Sequence, residues 1–296
     1  MKISILTPTY NRAYILGKLY NSIIKNSNYG VDLEWLIMDD GSTDQTKILV
    51  KKWKKENKVK IKYYYQENKG KMLAINNLIH YSNGELIIEC DSDDYFTNDA
   101  FKIIKEKYEI LNRNKDAYAL VFIKNNQYGK KIGSELEENK KSTMFELYFK
   151  EKAEGDKALV FRSDIRKKYK HKLEKKENFV TEARMYNEID KQYKIITVNI
   201  PIMICEYKND GYSKNIIDVF KNNPYGYYEY FKQLFSFDFK GISIKKRLYI
   251  IKHYILFSWK TKQLKSIIKN IDGVYNKLLI ILLCIPGIIK AKLIFK

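Results

Sequence analysis

The sequence predicts an α/β fold, with a doubly wound, mixed but mostly parallel sheet and flanking helices. In the first hundred residues, short apolar runs alternate with segments of helical periodicity, which is typical of parallel strands joined by crossover helices. Each apolar run ends in a polar turn that contains glycine or carboxylates. Because ligands bind at the carboxyl ends of the strands in such sheets, these four turns together predict one ligand site.

Turn-forming residues bound every apolar run, and the segments between the runs have the apolar spacing of helices. The predicted strands span residues 2–6, 33–38, 60–65 and 86–88. The predicted helices span residues 13–26, 44–56 and 72–81. Strands and helices therefore alternate as a doubly wound sheet requires.

Three carboxylates follow the fourth apolar run within four residues, as Asp91, Asp93 and Asp94. Carboxylates at the end of a buried strand repel one another and lose hydration, so a bound cation is the simplest reason to gather them. Asp91 and Asp93 are two residues apart, which on a strand end points both side chains the same way. Oxygen ligands favour Mg²⁺ or Mn²⁺, and such an ion can bridge to a phosphate-bearing substrate. The alternative is a solvated acidic turn.

A cluster of positive charge, Lys69-Gly70-Lys71, precedes the third predicted helix. Cations beside a glycine at a helix amino terminus favour the binding of an anion such as a phosphate group. Lysine is common throughout this chain, so the alternative is that Lys69 and Lys71 are ordinary surface residues.

Four motifs occur in register across residues 2–100. They are Thr7-Pro8-Thr9-Tyr10-Asn11-Arg12, Asp39-Asp40-Gly41-Ser42-Thr43-Asp44, Asn68-Lys69-Gly70 with Asn76, and Asp91-Ser92-Asp93-Asp94. With these motifs the chain resembles the family-2 glycosyltransferases. The resemblance implies the GT-A fold with its Rossmann-like sheet, a nucleotide-sugar donor and inversion of the anomeric centre.

A second stretch, residues 151–214, resembles a bacterial subgroup that assembles surface polysaccharides. It contains Glu154-Gly155-Asp156-Lys157, Glu177-Asn178-Phe179-Val180-Thr181-Glu182 and Cys205-Glu206-Tyr207-Lys208-Asn209-Asp210-Gly211-Tyr212-Ser213. The expected pathway is capsule, cell-wall or other surface-polysaccharide biosynthesis, and the resemblance becomes faint beyond residue 215.

The resemblance also implies roles for single residues. Asp93 is the expected direct ligand of Mn²⁺ or Mg²⁺, while Asp91 contacts the ribose or a metal-bound water. Asp39 or Asp40 contacts the uracil of a uridine nucleotide, with the alternative that this segment is only a turn and a helix cap. The implied donor-binding residues are Thr7, Pro8, Thr9, Tyr10, Asp39, Asp40, Gly70, Lys71, Asp91 and Ser92.

The transfer also needs a base, because the acceptor hydroxyl loses its proton as it attacks the anomeric carbon. In many relatives an acidic pair precedes a helix in the second half of the catalytic domain, and here Thr181-Glu182 stands at that place. Glu182 is therefore the expected base, with Glu177 and Asp156 as the alternatives. Glu182 could instead only cap the predicted helix 183–189 together with Thr181.

The domain organisation is predicted from composition. Residues 1–213 are the expected catalytic domain, with a nucleotide-binding half at 1–100 and an acceptor half at 101–213. The chain has a net charge of +20, and residues 214–296 carry 16 basic and 4 acidic residues together with many aromatic ones. These residues predict a basic, amphipathic, helical extension.

The extension ends in an apolar segment, residues 278–289, which is shorter than the roughly 20 residues that a membrane-spanning helix needs. Pro286-Gly287 is also expected to break a helix there. A basic, aromatic-rich tail of this kind predicts contact with an anionic membrane surface. The alternatives are a helical lid packed on the catalytic domain or an oligomer contact, and a nucleic-acid patch is disfavoured.

Three widely spaced cysteines form neither a disulfide framework nor a zinc motif, which indicates a reducing compartment. The chain enters its first strand without a signal peptide. We therefore expect a cytoplasmic glycosyltransferase at the inner face of the membrane, moving a sugar from a UDP-linked donor to a lipid-linked saccharide. The alternatives are a sugar nucleotidyltransferase and a non-catalytic scaffold on a transferase fold.

Overall fold

The structure, a computed structural model, describes residues 1–206, 215–267 and 274–295. Within these residues a nine-stranded sheet has the order β3-β2-β1-β4-β8-β6-β9-β5, and β7 pairs with β9 outside that path. The strands are β1 (Lys2–Thr9), β2 (Asp32–Asp40), β3 (Lys60–Gln66), β4 (Leu86–Glu89), β5 (Asp94–Phe96), β6 (Ala117–Asn126), β7 (Lys141–Ser142), β8 (Lys157–Arg162) and β9 (Lys194–Cys205). The helices are α1 (Leu16–Asn26), α2 (Thr46–Glu56), α3 (Lys71–Tyr81), α4 (Ala100–Arg113), α5 (Met144–Phe149), α6 (Ser163–Arg166), α7 (Glu182–Asp190), α8 (Ile216–Asn222), α9 (Pro224–Leu234), α10 (Ile244–Lys260) and α11 (Val274–Ile294).

The predicted fold class is confirmed. Strands β1 to β4 pair in parallel, and β6 and β9 also pair in parallel, whereas β5, β7 and β8 run antiparallel to their neighbours. The sheet is therefore mixed but mostly parallel, with helices between the strands. The four predicted strands and three predicted helices are all present, with ends that differ by at most three residues.

The described residues form two compact units. Unit 1 comprises residues 1–144, 153–170 and 189–208 and contains the sheet; unit 2 comprises residues 145–152, 171–188 and 209–296. Two segments that precede residue 209 thus belong to unit 2. The division into a catalytic domain at 1–213 and an extension at 214–296 stays a prediction, and residues 207–214 of the second family-like stretch lie outside the described residues.

The core of unit 1 is built from the apolar runs that predicted the strands. Ile3 and Ile5 of β1, Trp35 and Ile37 of β2 and Ile88 of β4 are fully buried in one cluster. The aromatic rings of this cluster stack: the Tyr20 and Trp53 centroids are 4.3 Å apart, and those of Trp35 and Trp53 are 5.8 Å apart. Burial on both faces explains why these strands are nearly continuous apolar runs.

A buried carboxylate, Glu34, interrupts the apolar surroundings of β2. Its carboxylate accepts hydrogen bonds from Ser4 Oγ at 2.6 Å and Asn83 N at 2.6 Å, and it lies 2.9 Å from Lys62 Nζ. Desolvation raises the pKa of Glu34, but the hydrogen bonds from Ser4 and Lys62 outweigh it and lower that pKa to about 2. The ionised side chain therefore ties β1, β2 and β3 together.

Removal of this carboxylate should destabilise the fold. We expect Glu34→Ala to lower the free energy of unfolding by about 3 kcal/mol, because it leaves buried donors and the Lys62 ammonium without their partner. Urea unfolding followed by circular dichroism measures the change, with Glu67→Ala at an exposed position as the control. A loss for Glu34→Ala no larger than that of the control would contradict this role.

Unit 2 contains the helices of the C-terminal region. Ser243 is the N-cap of α10, and its hydroxyl accepts the Lys246 N–H. The buried face of α10 packs on α9 through the ring pairs Tyr228–Tyr254 and Phe231–Phe257. The predicted helical extension is confirmed. No helix within the described residues is both long and apolar enough to cross a bilayer.

The predicted break at Pro286-Gly287 is wrong, because α11 runs through both residues without interruption. Proline removes one backbone donor and is disfavoured inside a helix, but tertiary packing can override such a local preference. Gly287 also has a packing role, since a Cβ added there would lie 2.7 Å from Ile255 Cγ2. The glycine therefore allows α11 to approach α10 closely.

Candidate functional site in unit 1

The predicted motifs of the first hundred residues meet at one edge of the sheet. Thr9 at the end of β1 is the register partner of Asp39 at the end of β2, and Asp40 is the partner of Gln66 in β3. Glu89, which precedes the acidic segment, is the partner of Leu6 in β1. The carboxyl ends of four parallel strands therefore place these turns side by side, as the sequence predicted.

The turns after β1 and β2 are locked to each other by hydrogen bonds. Asn11 has a φ of 52°, and its side-chain Oδ1 accepts the Thr43 N–H at 2.8 Å. Its own N–H donates to Ser42 Oγ at 2.9 Å. Asp44 accepts the N–H groups of Ala13 at 3.0 Å and Thr46 at 2.9 Å, so it fixes the start of α2. Asp44 thus holds the turn before α2, while the N-cap position of that helix is Gln45.

Asp39 and Asp40 are both buried, but they have different partners. Asp39 accepts the Ser42 N–H at 2.7 Å and the Tyr63 hydroxyl at 2.5 Å. Asp40 accepts three donors from the end of β3 and the start of α3: Gln66 Nε2 at 2.7 Å and the N–H groups of Lys69 and Gly70, each at 2.9 Å. Asp40 therefore organises the β3–α3 loop. A contact of either residue with uracil stays a prediction.

Glycine is required at two turns of this edge. Gly70 has a φ of 92° and precedes the first residue of α3, Lys71. Gly41 has a φ of 86°, and a Cβ added to it would lie 2.9 Å from Asn68 N. Both conformations are unfavourable for residues with a side chain. The two loops can therefore approach closely enough to form one surface.

Hydroxyl groups of the first motif have different surroundings. Thr7 Oγ1 accepts the Trp35 Nε1 hydrogen at 3.0 Å in the interior. Thr9 Oγ1 is also buried, but it has no hydrogen-bond partner among the described residues. Tyr10 is exposed at the rim. A buried hydroxyl without a protein partner at the end of a strand fits hydrogen bonding to a ligand.

The acidic segment forms a tight turn between β4 and β5. The Asp94 N–H donates to the Asp91 carbonyl at 3.1 Å, and Ser92 is buried within the turn. Asp91 Oδ2 lies 2.8 Å from Lys71 Nζ, and Asp94 Oδ2 lies 2.7 Å from Lys124 Nζ of β6. Two of the three carboxylates are thus paired with lysines. In this structure Lys71 contacts a carboxylate, and its predicted role in donor binding stays a prediction.

Asp93 is the carboxylate of this segment that has no ion pair within the described part of the chain. Desolvation raises the pKa of Asp93, and the neighbouring charges of Asp91 and Asp94 raise it further, to about 6. The pKa of Asp91 shifts in the opposite direction. Desolvation raises that pKa, but the ammonium groups of Lys71 and Lys124 outweigh desolvation and lower it. The negative potential of the segment is therefore concentrated at Asp93.

The residues present fit a divalent cation that shares its ligands with a substrate. Within the described residues, no group of three or more His, Cys, Asp or Glu side chains is arranged to hold a metal alone. A raised pKa shows that the carboxylate lacks enough neighbouring positive charge to balance it, so a cation that takes the place of the proton is stabilising there. Hard oxygen ligands suit Mg²⁺ or Mn²⁺. Magnesium commonly binds through one or two carboxylates together with substrate phosphates, which matches Asp93.

The raised pKa of Asp93 predicts a measurable pH dependence in the absence of metal. Its pKa is about 6 in the folded protein, against an ordinary value of 3.8 for an aspartate side chain, so folding favours the protonated form. The stability from this group is complete below pH 3.8 and is lost as the pH rises through about 6. The loss is at most about 3 kcal/mol.

The measurement is the free energy of unfolding of wild type and of Asp93→Asn, taken in chelator from about pH 4 to about pH 7. Asparagine carries no charge, so the free energy of unfolding of the variant should increase relative to that of wild type as the pH rises. A difference that does not change with pH would contradict the raised pKa.

The candidate bases are in different surroundings. Glu182 is the first residue of α7 and is partly exposed, and its charge contributes to the raised pKa of Tyr227 after desolvation of that ring. Glu177 accepts the N–H groups of Tyr225 at 2.6 Å and Gly226 at 2.7 Å, so both of its oxygens hold the start of α9. Asp156 is exposed. The contacts of Glu177 give it a structural role at the start of α9. Which of the three carboxylates acts as the base stays a prediction.

Two basic residues that pair with carboxylates near the site were not predicted from the sequence. Lys124 balances Asp94 from β6, and the pair raises the pKa of Lys124 above its ordinary value although burial opposes this. Arg166 is fully buried, and its Nε lies 2.6 Å from Glu89 Oε1 directly before the acidic segment. A single lysine at the end of an apolar strand, or a single arginine in a short helix, does not indicate a functional site in the sequence.

A cavity of about 410 Å³ lies at the opposite end of β4. It is lined by residues from the start of β4, from α4 and from the end of β8, including Leu86, Tyr108 and Arg162. None of the predicted site residues lines it.

The fold is that of the GT-A glycosyltransferases. It matches Staphylococcus aureus TarS 1–349 with a TM-score of 0.63 and 17% identity, over 98% of this chain and 89% of that structure, which was solved with UDP-GlcNAc. The chain belongs to the glycosyl transferase family 2, whose family model matches residues 4–170. The predicted family is therefore confirmed, and the surface-polysaccharide subgroup stays a prediction.

Two relatives show how far the sequence similarity extends. The glycosyltransferase MG060 of Mycoplasma genitalium is 34% identical over 120 residues, which is 38% of this chain and 40% of that protein. The GalNAc(5)-diNAcBac-PP-undecaprenol beta-1,3-glucosyltransferase of Campylobacter jejuni is 32% identical over 123 residues, or 41% and 37% of the two chains. The match spans about two fifths of the length of either relative.

Proposed function

We propose that this glycosyltransferase moves one sugar from a UDP-linked donor to a hydroxyl of a lipid-linked saccharide, with inversion and with the help of Mn²⁺ or Mg²⁺. The observation that carries the proposal is the acidic turn after β4, where Asp93 keeps a raised pKa while lysines balance Asp91 and Asp94. Such a turn suits a donor that brings both a diphosphate and a cation.

The roles of the residues follow from their surroundings. Asp93 would hold the cation, and the charge of that cation would stabilise the diphosphate as it leaves. Asp91 would contact the ribose or a metal-bound water. The buried Thr9 hydroxyl and the β1 turn would border the nucleotide, with Tyr10 at its rim and Asp39 facing the base.

The transfer itself is a single displacement. The acceptor oxygen forms a bond to the anomeric carbon while the bond from that carbon to the diphosphate oxygen breaks. Glu182 takes the proton of the acceptor hydroxyl, and the electron pair of the broken bond leaves with the diphosphate. Attack opposite to the leaving group inverts the anomeric centre.

The choice of donor and acceptor has support from the relatives. TarS was solved with UDP-GlcNAc, and the name of the C. jejuni enzyme describes a glucosyl transfer to a saccharide on undecaprenyl diphosphate. A lipid-linked acceptor would place this enzyme at the inner face of a bacterial membrane, in the assembly of a surface polysaccharide. The excess basic charge of residues 214–296 agrees with that location.

Thermal shift measurements against a panel of nucleotides test the donor. UDP, GDP, CMP and dTDP are added with and without Mn²⁺ to wild type and to Asp93→Ala, since a ligand that binds the folded state raises the melting temperature. A Mn²⁺-dependent shift with UDP that is lost in Asp93→Ala is the expected result. A shift with a different nucleotide would overturn the UDP assignment, and no shift with any nucleotide would favour the scaffold alternative.

A further inference from the structure

Helix α11 carries an exposed apolar stripe. The stripe consists of Leu278, Ile281, Leu282, Ile285, Ile289 and Leu293, each between 54% and 72% exposed. Their spacing of three, one, three, four and four residues places all six on one side of an α-helix. Large contiguous apolar surfaces of this kind mark interaction sites.

The opposite side of the helix is already occupied. Ile280, Gly287 and Ala291 are buried, and the close approach of Gly287 to Ile255 shows that this side faces α10 within unit 2. The stripe is therefore not the face that α11 needs for packing. Because 15 steps of about 1.5 Å separate Leu278 from Leu293, the stripe is about 22 Å long.

The charges beside the stripe indicate what covers it. Lys277 and Lys290 are exposed and project on opposite sides of the stripe in the helical projection. Lys292 is also exposed and lies between Ile289 and Leu293 at the C-terminal end of the stripe. Residues 274–295 contain no acidic side chain. Lysines that flank an apolar face can extend to phosphate head groups while the apolar side chains enter the acyl boundary.

We propose that α11 lies flat in the interface of an anionic bilayer, with the stripe facing the acyl chains and Lys277 and Lys290 at the head groups. A second copy of the chain is a weaker fit, because two stripes meeting face to face would also bring like charges together without acidic partners on this helix. The proposal concerns binding to lipid and does not depend on the identity of the sugar donor.

Vesicle flotation with the full chain tests the proposal. The probes are phosphatidylcholine vesicles with and without about 30% phosphatidylglycerol, an anionic lipid. We expect Leu282→Ser combined with Ile285→Ser to lower the partition coefficient for anionic vesicles about 100-fold. Lys277→Gln combined with Lys290→Gln should lower it about fivefold per lysine, on anionic vesicles only.

The matched control is Ile48→Ser combined with Tyr128→Ser, which removes two large side chains of unit 1 that are 64% and 77% exposed. It should bind vesicles as wild type does, and circular dichroism melting should show that all variants are folded. Wild type that does not float with anionic vesicles, or serine variants that float as well as wild type, would overturn the proposal. So would light scattering that shows a dimer which the serine variants convert to monomer without any binding to vesicles.

Discussion

Asp93→Asn is expected to lower kcat for sugar transfer about 1000-fold, which corresponds to about 4 kcal/mol of transition-state stabilisation. The substitution keeps the shape of the side chain but removes the charge that would hold the cation. Lys71 and Lys124 already neutralise Asp91 and Asp94 in part, so neither of these residues can replace Asp93 without losing its own partner. Initial rates with radiolabelled UDP-sugar at saturating Mn²⁺ measure the loss.

The same variant should be at least as stable as wild type at neutral pH. Desolvation and the two neighbouring carboxylates raise the pKa of Asp93, and asparagine removes the repulsion that causes part of this shift. Asp32→Asn is the matched control, because it makes the same exchange at an exposed position at the start of β2. Equal kcat for Asp93→Asn and this control would exclude Asp93 as a metal ligand for transfer.

The sequence allowed prediction of the half of the sheet in which strands follow one another closely along the chain. Residues 2–6, 33–38, 60–65 and 86–88 were identified because buried parallel strands are continuous apolar runs with polar turns at their ends. The position of the acidic segment at the edge of the sheet followed from the same pattern.

Contacts between distant residues could not be predicted in the same way. Strand β5 begins at Asp94, which pairs with Cys205 of β9. The short strand has no apolar pattern of its own, so this pairing could not be predicted from the residues around Asp94. Lys124 can reach Asp94 because β6 and β5 are both paired with β9, in a register that places Lys124 opposite Met203 and Asp94 opposite Cys205. The three carboxylates could therefore be predicted from the sequence, but the ion pair of Asp94 with the half-buried Lys124 could not.

The error at Pro286 has a different cause. A proline and a glycine together are good indicators of a helix end when the helix stands alone. In α11, close packing against α10 at Gly287 stabilises the continuous helix. This tertiary contact joins residues far apart in the chain and cannot be predicted from the residues next to Pro286.

Glu182→Gln is expected to lower kcat about 1000-fold without weakening donor binding, because glutamine keeps the size of the side chain but cannot take a proton from the acceptor hydroxyl. Thermal shifts with UDP and Mn²⁺ should match those of wild type, which separates loss of the base from loss of the nucleotide site. In Glu182→Ala, added formate should restore part of the rate, since a small carboxylate can act in place of the missing one.

Glu177→Gln provides the comparison that decides between the two glutamates. Both oxygens of Glu177 accept backbone N–H groups at the start of α9, and an amide offers one acceptor oxygen, so this variant should lose about 1 kcal/mol of stability. Its kcat should stay within about threefold of wild type once the protein is folded, because the residue is expected to hold a helix and not to move a proton. The reverse pattern, with a large kcat loss in Glu177→Gln and little in Glu182→Gln, would make Glu177 the base. If both variants remained active, Asp156→Asn would become the next variant to assay, because Asp156 is the remaining candidate.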